Sequence, residues 1–151
     1  MKISSTAFED GGNIPDEFSK DGGNHRPPLY FEDIPPEAKT LALIVDDPDA
    51  PRGSFTHWIA YNIPPQTKSV GNGEPVTLQQ AANDFGQTEY GGPRPPSGEH
   101  RYFFKLYALD DQITLPRGAS RLDMEEAILG HVIAESEYMG RFAAHALVEA
   151  H

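Results

Sequence analysis

The chain contains no cysteine among its 151 residues. This absence excludes a disulfide framework and any chemistry that needs a thiol, and it is typical of a protein kept in a reducing compartment. Apolar runs of membrane-spanning length are also absent. The opening residues, Met1 to Ser5, lack the apolar core of a secretory signal peptide. We therefore expect a soluble, cytoplasmic protein with no integral membrane association.

Positive charge is scarce as well. The chain has 12 Lys and Arg residues against 23 Asp and Glu residues, which gives a formal net charge of −11 at pH 7. The basic residues are scattered along the sequence rather than clustered. Because a strongly acidic protein repels nucleic acid and anionic bilayers, nucleic acid is not expected as a partner. Any anion that binds must be captured by groups close to it.

Familiar catalytic signatures are missing too. The sequence has no H-x-H or H-E-x-x-H pair and no cysteine cluster, which are patterns typical of zinc sites. It also lacks the G-x-S-x-G elbow around the nucleophile of many serine hydrolases. We therefore predict a protein that is not an enzyme and that uses no metal and no cofactor.

Turn-forming residues, by contrast, are abundant. Glycine and proline number 14 each, often in adjacent pairs, which indicates many turns between short strands. The length and the 38% hydrophobic content suffice for the core of one domain, expected to cover residues 1–151. No alternation of strands and long helices is visible. The predicted fold class is therefore mainly β, as a sandwich.

Three segments are clear strand candidates, at residues 41–46, 56–63 and 101–109, and residues 3–8 form a weaker one. Residues 67–83 are polar and predict a long loop with short pieces of structure. Residues 121–129 favour a helix that Ser120 or Asp123 caps and Gly130 ends. Residues 131–142 are of types that favour a helix, but their side-chain pattern alternates with a period of two, as in a strand. The tail from residue 143 to 151 is predicted as a short helix or a frayed end.

Polar side chains stand at the ends of these strands. The turn from Asp47 to Pro51 follows the apolar run 41–45, and His57 comes ten residues after Asp47. A Gly/Pro-rich loop then delivers His100 and Tyr102 to the start of the third strand. Rigid loops at the end of core strands are where binding sites are commonly built. Because prolines tighten the first turn, Ala50–Pro51 is predicted to be a cis peptide.

Side chains alternate along a strand, so each strand should present polar groups at one end and apolar groups beyond them. The expected series are Leu43–Val45–Asp47, His57–Ile59–Tyr61 and His100–Tyr102–Phe104. If the polar ends converge, they form a small polar pocket over a hydrophobic floor. Asp49 is predicted to form the local turn, and Arg101 to pair with Asp47 or Asp49.

These motifs resemble the phosphatidylethanolamine-binding protein family, which includes the Raf kinase inhibitor proteins. The resemblance rests on D-P-D-A-P at Asp47 to Pro51, H-W at His57-Trp58, N-I-P at Asn62 to Pro64, and Gly92-Pro93 followed by H-R-Y at His100 to Tyr102. It covers roughly residues 3–142. The opening residues, with Ile14-Pro15, Asp21-Gly22 and Pro27 to Leu29, resemble the bacterial and archaeal branch.

The resemblance implies a fold of two antiparallel sheets in a Greek-key arrangement, with short peripheral helices near the C-terminus. It favours a strand at residues 131–142. It also implies a pocket for a small anion, a phosphorylated ligand or a lipid headgroup. The matching positions are Asp47, His57, His100 and Tyr102, with Pro51, Gly92 and Pro93 shaping the rim. Phe55 stands where many relatives carry tryptophan. A homodimer and modulation of a protein partner such as a kinase are further implications.

The chemistry of these residues leaves alternatives open. An oxyanion needs donors, which imidazole N–H, phenol O–H and loop backbone N–H groups supply. A carboxylate beside a phosphate requires a shared proton; otherwise Asp47 binds an ammonium group or orients a histidine. A metal-dependent hydrolase built on Asp47, His57 and His100 is one alternative function. An interaction protein with a vestigial pocket is the other.

Overall fold

The computed structural model describes residues 1–71 and 78–144 of the chain. Within them, two antiparallel sheets carry most of the regular structure, and the predicted mainly β sandwich is confirmed. The strands are β1 (Lys2–Ser4), β2 (Leu29–Glu32), β3 (Thr40–Asp47), β4 (Phe55–Ile63), β5 (Ser69–Val70), β6 (Gln79–Ala81), β7 (Glu99–Leu109) and β8 (Val132–Ala143). A short 3-10 helix, Asp16–Phe18, and one α-helix, α1 (Arg121–Ile128), lie between them.

The strand order places the candidate residues on adjacent strands. The small sheet has the order β1-β2-β5 and the large sheet β6-β4-β3-β7-β8. Strand β3 lies between β4 and β7, although about fifty residues separate β3 from β7 in the sequence. Such long-range antiparallel neighbours are typical of Greek-key folds. The ends of β3, β4 and β7 therefore meet at one edge of the molecule.

The large sheet is covered on both faces. Val45, Trp58 and Phe104 are buried in the core between the sheets. Ile44 packs on the opposite face with Met124 of α1. This two-sided burial explains the uninterrupted apolar run at the start of β3, since a strand that is exposed on one face alternates apolar and polar residues.

The predicted elements agree with the observed ones in place and type. The three clear strands are longer by one or two residues and become β3, β4 and β7. The strand that the resemblance favoured at residues 131–142 is β8, Val132–Ala143. Of the predicted strand 3–8, only residues 3 and 4 lie in a strand, β1. The loop at 67–83 contains β5 and β6, but residues 72–77 lie outside the described chain, as do residues 145–151 of the tail. No helix of the described residues could span a bilayer.

A bulge in β4 makes the predicted side-chain alternation wrong at His57. Val45 pairs with Trp58 and Asp46 pairs with Thr56, so His57 is the extra residue on its strand. Both His57 and Trp58 consequently face the inner side of the sheet, whereas Ile59 belongs to the outer cluster. A β-bulge inserts one unpaired residue and re-aims the side chains around it. His57 reaches the pocket because of this irregularity.

Helix α1 begins with the predicted cap. The Ser120 hydroxyl accepts a hydrogen bond from Asp123 N, and the Asp123 carboxylate accepts one from Ser120 N. This reciprocal capping box satisfies two backbone donors that the first turn leaves without partners. Gly130, with φ of 82°, follows the helix in the left-handed region that glycine tolerates.

Replacing the cap tests its contribution. Ser120→Ala is expected to lower the free energy of unfolding by about 1 kcal/mol, since both the serine acceptor and the geometry of the box are lost. Chemical denaturation of Ser120→Ala measures this effect. Ser97→Ala, at an exposed loop position, serves as the control. Equal unfolding midpoints for the two variants would show that the cap is not needed to hold α1.

Candidate functional site

A cavity of about 220 Å³ lies where β3, β4 and β7 end. The four polar residues predicted for the site line it together, namely Asp47, His57, His100 and Tyr102, and so does the predicted rim residue Pro51. The rest of the lining is apolar apart from one cation, and consists of Ala50, Pro51, Phe55, Phe85, Arg94, Pro95 and Pro96. Residues that are far apart in the sequence thus form one small polar cluster inside a largely apolar wall.

The turn after β3 is fixed by its own carboxylates. Asp47 Oδ1 accepts a hydrogen bond from Asp49 N at 2.8 Å. The Asp49 carboxylate accepts from Arg101 N and Nε, each at 2.9 Å, and from Arg101 Nη2 at 2.8 Å. The Arg101 guanidinium holds the pKa of Asp49 down, at about 2. Arg101 therefore clamps the turn to β7, and its acidic partner is Asp49 rather than Asp47.

The prediction of a cis peptide in this turn is wrong. The Ala50–Pro51 bond is trans, and no peptide bond of the described residues is cis. The reversal is achieved instead by the hydrogen bonds of Asp47 and Asp49 and by Gly53, whose φ of 102° other residues rarely adopt. Pro51 still lines the cavity with the trans bond.

Asp47 and His100 form a buried pair. Asp47 Oδ2 lies 2.6 Å from His100 Nδ1, and both side chains are almost fully buried. A carboxylate can only accept, so Nδ1 carries the proton of this hydrogen bond. Within the described chain Nε2 of His100 has no hydrogen-bond partner, and it is the ring nitrogen left for a ligand. Asp47 therefore orients a histidine, which was one of its predicted roles.

His57 is fixed by a backbone carbonyl. Its Nδ1 lies 2.7 Å from Gly91 O, and because a carbonyl only accepts, Nδ1 must carry a proton. Burial lowers the pKa of His57, and the Gly91 carbonyl and the Asp47 carboxylate oppose that shift only in part. Neutral His57 consequently has a lone pair on Nε2. In this state the ring offers a ligand an acceptor rather than a donor.

The Tyr102 hydroxyl has no hydrogen-bond partner among the described residues, although its side chain is only 1% exposed. The ring contacts His57 edge to face, with 5.1 Å between the ring centroids. Burial, followed by the nearby Asp47 carboxylate, raises the pKa of Tyr102, so the hydroxyl keeps its proton. A buried donor without a partner is unfavourable, and here it lines the cavity.

An aromatic wall closes one side of the cavity. Phe85 contacts Phe55 at 4.8 Å and His57 at 5.4 Å between ring centroids. Asn83 shapes the Phe85 loop, since its Oδ1 accepts from Phe85 N and Gln87 N. Sequence analysis did not identify Phe85. The only signal was an isolated aromatic residue in a polar Asn-Asp-Phe-Gly turn, which gives no indication of where the ring points.

Two predicted rim residues do not line the cavity. Gly92 is packed against the backbone of residues 18–20, where a Cβ atom would collide with Phe18 O. Its N–H donates to Asn24 Oδ1 at 2.7 Å. Pro93 lines a neighbouring cavity instead. Gly92 therefore positions the loop that supplies Gly91 O to His57, and the loop residues that reach the cavity are Arg94, Pro95 and Pro96.

Comparison with known proteins agrees with this architecture. The family model described as phosphatidylethanolamine-binding protein matches residues 4–143. The chain belongs to the phosphatidylethanolamine-binding protein family. A UPF0098 protein of Methanothermobacter thermautotrophicus is 46% identical over 148 residues, which cover 94% of this chain and 98% of that protein. One from Aquifex aeolicus is 42% identical and covers 94% and 88%.

Solved structures of this family have the same fold. A homologue of phosphatidylethanolamine-binding protein from Chlamydia trachomatis superposes with a TM-score of 0.90 at 39% identity, over 95% of this chain and 97% of that one. YbcL of E. coli, described as a member of the mammalian family, gives 0.87 at 27% identity, over 95% and 98%. These relatives are archaeal and bacterial, in agreement with the branch predicted from the opening residues.

The geometry of this phosphatidylethanolamine-binding protein fold gives the hydrolase alternative no support. Within residues 1–71 and 78–144, no three His, Asp or Glu side chains are grouped as metal ligands. Asp47 Oδ2 is bound to His100, Oδ1 to Asp49 N, and His57 Nδ1 to Gly91 O. The carboxylate therefore serves the turn and the histidine, which leaves two Nε2 atoms and one phenol facing the cavity.

Proposed function

We propose that this protein binds a small phosphorylated ligand in the cavity of Asp47, His57, His100 and Tyr102. The observation that carries the proposal is the buried Tyr102 hydroxyl, which has no partner among the described residues. A ligand oxygen in the cavity would accept a hydrogen bond from this hydroxyl and remove the penalty of an unpaired buried donor. Catalysis is not part of the proposal.

The hydrogen-bond donors and acceptors of the cavity favour a phosphate that still carries one proton. His100 Nδ1 is bonded to Asp47 and His57 Nδ1 to Gly91 O, so each ring, when neutral, presents a lone pair on Nε2. A fully deprotonated anion offers these two groups nothing to accept. A monoprotonated phosphate donates its P–OH to one acceptor and takes hydrogen bonds from Tyr102. Alternatively His57 takes up the proton itself. Either route brings one proton into the cavity with each anion.

The size of the cavity limits the ligand to a phosphate group with a short apolar substituent. About 220 Å³ accommodates a phosphate group and a short substituent, at the lower end of the range for small-molecule sites. Phe55 and Phe85 on one side and Pro51, Pro95 and Pro96 around the mouth supply apolar contact for that substituent. A phosphate monoester therefore fits this wall better than a bare inorganic ion does.

Tyr102→Phe tests the proposal because binding and stability should respond differently. We expect phosphoserine to bind the wild type saturably at pH 6 and to bind Tyr102→Phe at least about tenfold more weakly, since a hydrogen bond to a charged group contributes about 1.5 kcal/mol or more. The stability of the unliganded protein should stay equal or rise slightly, because an unpaired hydroxyl is removed. Calorimetric titration and thermal unfolding measure the two quantities, with serine as the ligand control.

The outcomes separate the proposal from its alternatives. Wild-type protein that binds neither phosphoserine nor serine would support the vestigial pocket. Equal phosphoserine affinity for the wild type and Tyr102→Phe would remove the hydroxyl from the site. Equal affinity for serine and phosphoserine would show that the phosphate is not the recognised group.

A further inference from the structure

Arg94 is the one Lys or Arg among the residues that line the described cavity. It is therefore the only permanently charged donor that an anion would meet there, in a protein whose net charge is −11. Guanidinium groups bind phosphate through paired, charge-assisted hydrogen bonds. Arg94 is placed to supply the charge that the buried interior of the site lacks.

Arg94 is currently engaged elsewhere. Its Nε donates to Asp21 Oδ2 at 3.1 Å, and both side chains are 60% exposed. The second arginine–aspartate pair near the site is held more firmly, because Arg101 makes three hydrogen bonds to Asp49. A single exposed contact is weak and readily exchanged, whereas a multiply bonded pair is not. Of these two arginines, Arg94 is the one that a ligand can recruit.

The backbone around Arg94 is stiff, so only its side chain needs to move. Pro93 and Pro95 fix the main chain on either side. Arg94 lies on a ridge, because it lines both the candidate site and a neighbouring cavity of about 320 Å³, which Asp21 also lines. Asp21 lines only the neighbouring cavity, and Arg94 is the charged residue that borders both cavities.

We infer that Asp21 is a built-in competitor for Arg94, and that a phosphorylated ligand binds by taking the Arg94 guanidinium from the Asp21 carboxylate. The inference rests on the proposed function and names the residue pair that tunes its affinity. Asp21 weakens binding in the wild type, and Arg94 strengthens it. The carboxylate keeps the guanidinium beside the cavity while the site is empty, and the ligand must displace it.

A double-mutant cycle tests the competition with phosphoserine as the probe. Asp21→Asn is expected to bind roughly twofold to fivefold more tightly than the wild type, the range that loss of an exposed ion pair allows. Arg94→Gln is expected to bind about tenfold more weakly, since a charge-assisted contact is lost. In the Arg94→Gln background, Asp21→Asn should give no gain.

Glu125→Gln is the matched control. It changes the net charge by the same amount and removes another exposed carboxylate from an ion pair, Arg121 Nε to Glu125 Oε1 at 3.2 Å, on the helix that covers the outer face of the sheet. Its phosphoserine affinity should equal that of the wild type. A gain as large as that of Asp21→Asn would assign the effect to net charge and overturn the inference.

Other results would also overturn it. A gain from Asp21→Asn that persists in the Arg94→Gln background would mean that Asp21 repels the anion through space and does not compete for Arg94. Binding that neither single substitution changes would end this inference while leaving the proposed function standing. Absence of binding by the wild type and by Asp21→Asn alike would overturn both.

Discussion

Phosphoserine is expected to bind about tenfold more tightly at pH 6 than at pH 8. Burial lowers the pKa of His57 and so favours the neutral ring, with an acceptor on Nε2, in the free site. Binding must therefore bring in a proton, on the ligand or on the imidazole. The second ionisation of a phosphate monoester lies near pH 6. Each proton taken up on binding raises affinity up to about tenfold per pH unit until a group saturates.

The direction of this pH dependence follows from the protonation form that the free and the liganded protein each prefer. Burial disfavours the imidazolium of His57 in the free protein, and Asp47 and Asp84 compensate only in part. A bound phosphate adds negative charge beside the ring and raises its proton affinity. The liganded state thus holds more protons than the free state, and lowering the pH favours it.

Asp47→Asn is the informative variant for this prediction. It removes the carboxylate that opposes the anion while keeping an acceptor for His100 Nδ1. We expect the ratio of affinities at pH 6 and pH 8 to fall, because the anion no longer faces a carboxylate, but to stay above one while His57 and the phosphate can still take up a proton. Calorimetry in two buffers of different ionisation enthalpy measures the affinity and counts the protons directly. Equal wild-type affinities at the two pH values, with no proton uptake, would show that Asp47 and the histidines are not proton partners of the anion.

Gly92→Ala is expected to lower the free energy of unfolding by about 2–3 kcal/mol. A methyl group at this position would collide with Phe18 O and would crowd the backbone atoms of residues 19 and 20. Backbone atoms have no rotamers through which to relieve the contact, so the loop itself must shift. The hydrogen bond from Gly92 N to Asn24 Oδ1 would be distorted at the same time.

The neighbouring glycine provides the control. A methyl group at Gly91 would meet first the Phe85 ring, which is half-buried and able to turn aside. Gly91→Ala should therefore lower the free energy of unfolding by about 1 kcal/mol or less, while displacing the aromatic wall. Urea denaturation of both variants and phosphoserine titration of both give the comparison. If Gly92→Ala lowers the free energy of unfolding no more than Gly91→Ala does, the backbone of residues 18–20 can shift to accommodate the methyl group.

The prediction of the strands relied on local patterns. The apolar run 41–45 specifies a buried strand, and the alternation of side chains with a period of two places Asp47 on the same face as Leu43 and Val45. The same rule places His100 and Tyr102 on the face of Phe104, as observed. The resemblance of the motifs to a family added the arrangement of the strands in two sheets, because the local sequence of one strand does not specify its neighbours.

The tertiary structure decided the rest of the site. The bulge at His57 depends on the register between β3 and β4, and register is a property of the pair of strands rather than of either sequence. The Ala50–Pro51 bond is trans, and the turn that contains it is held by hydrogen bonds from Arg101, on another strand, to Asp49.

Loop residues were the least predictable because their side chains are directed by long-range contacts. Phe85 and Arg94 reach the cavity from segments whose composition indicates only turns. Gly92 was assigned to the rim from its motif but supports the loop by fitting against residues 18–20. The sequence by itself determined which strands form and which polar residues stand at their ends, because those follow from local periodicity. Only the assembled sheets decided which atoms face the cavity, because that depends on register and close packing between distant segments.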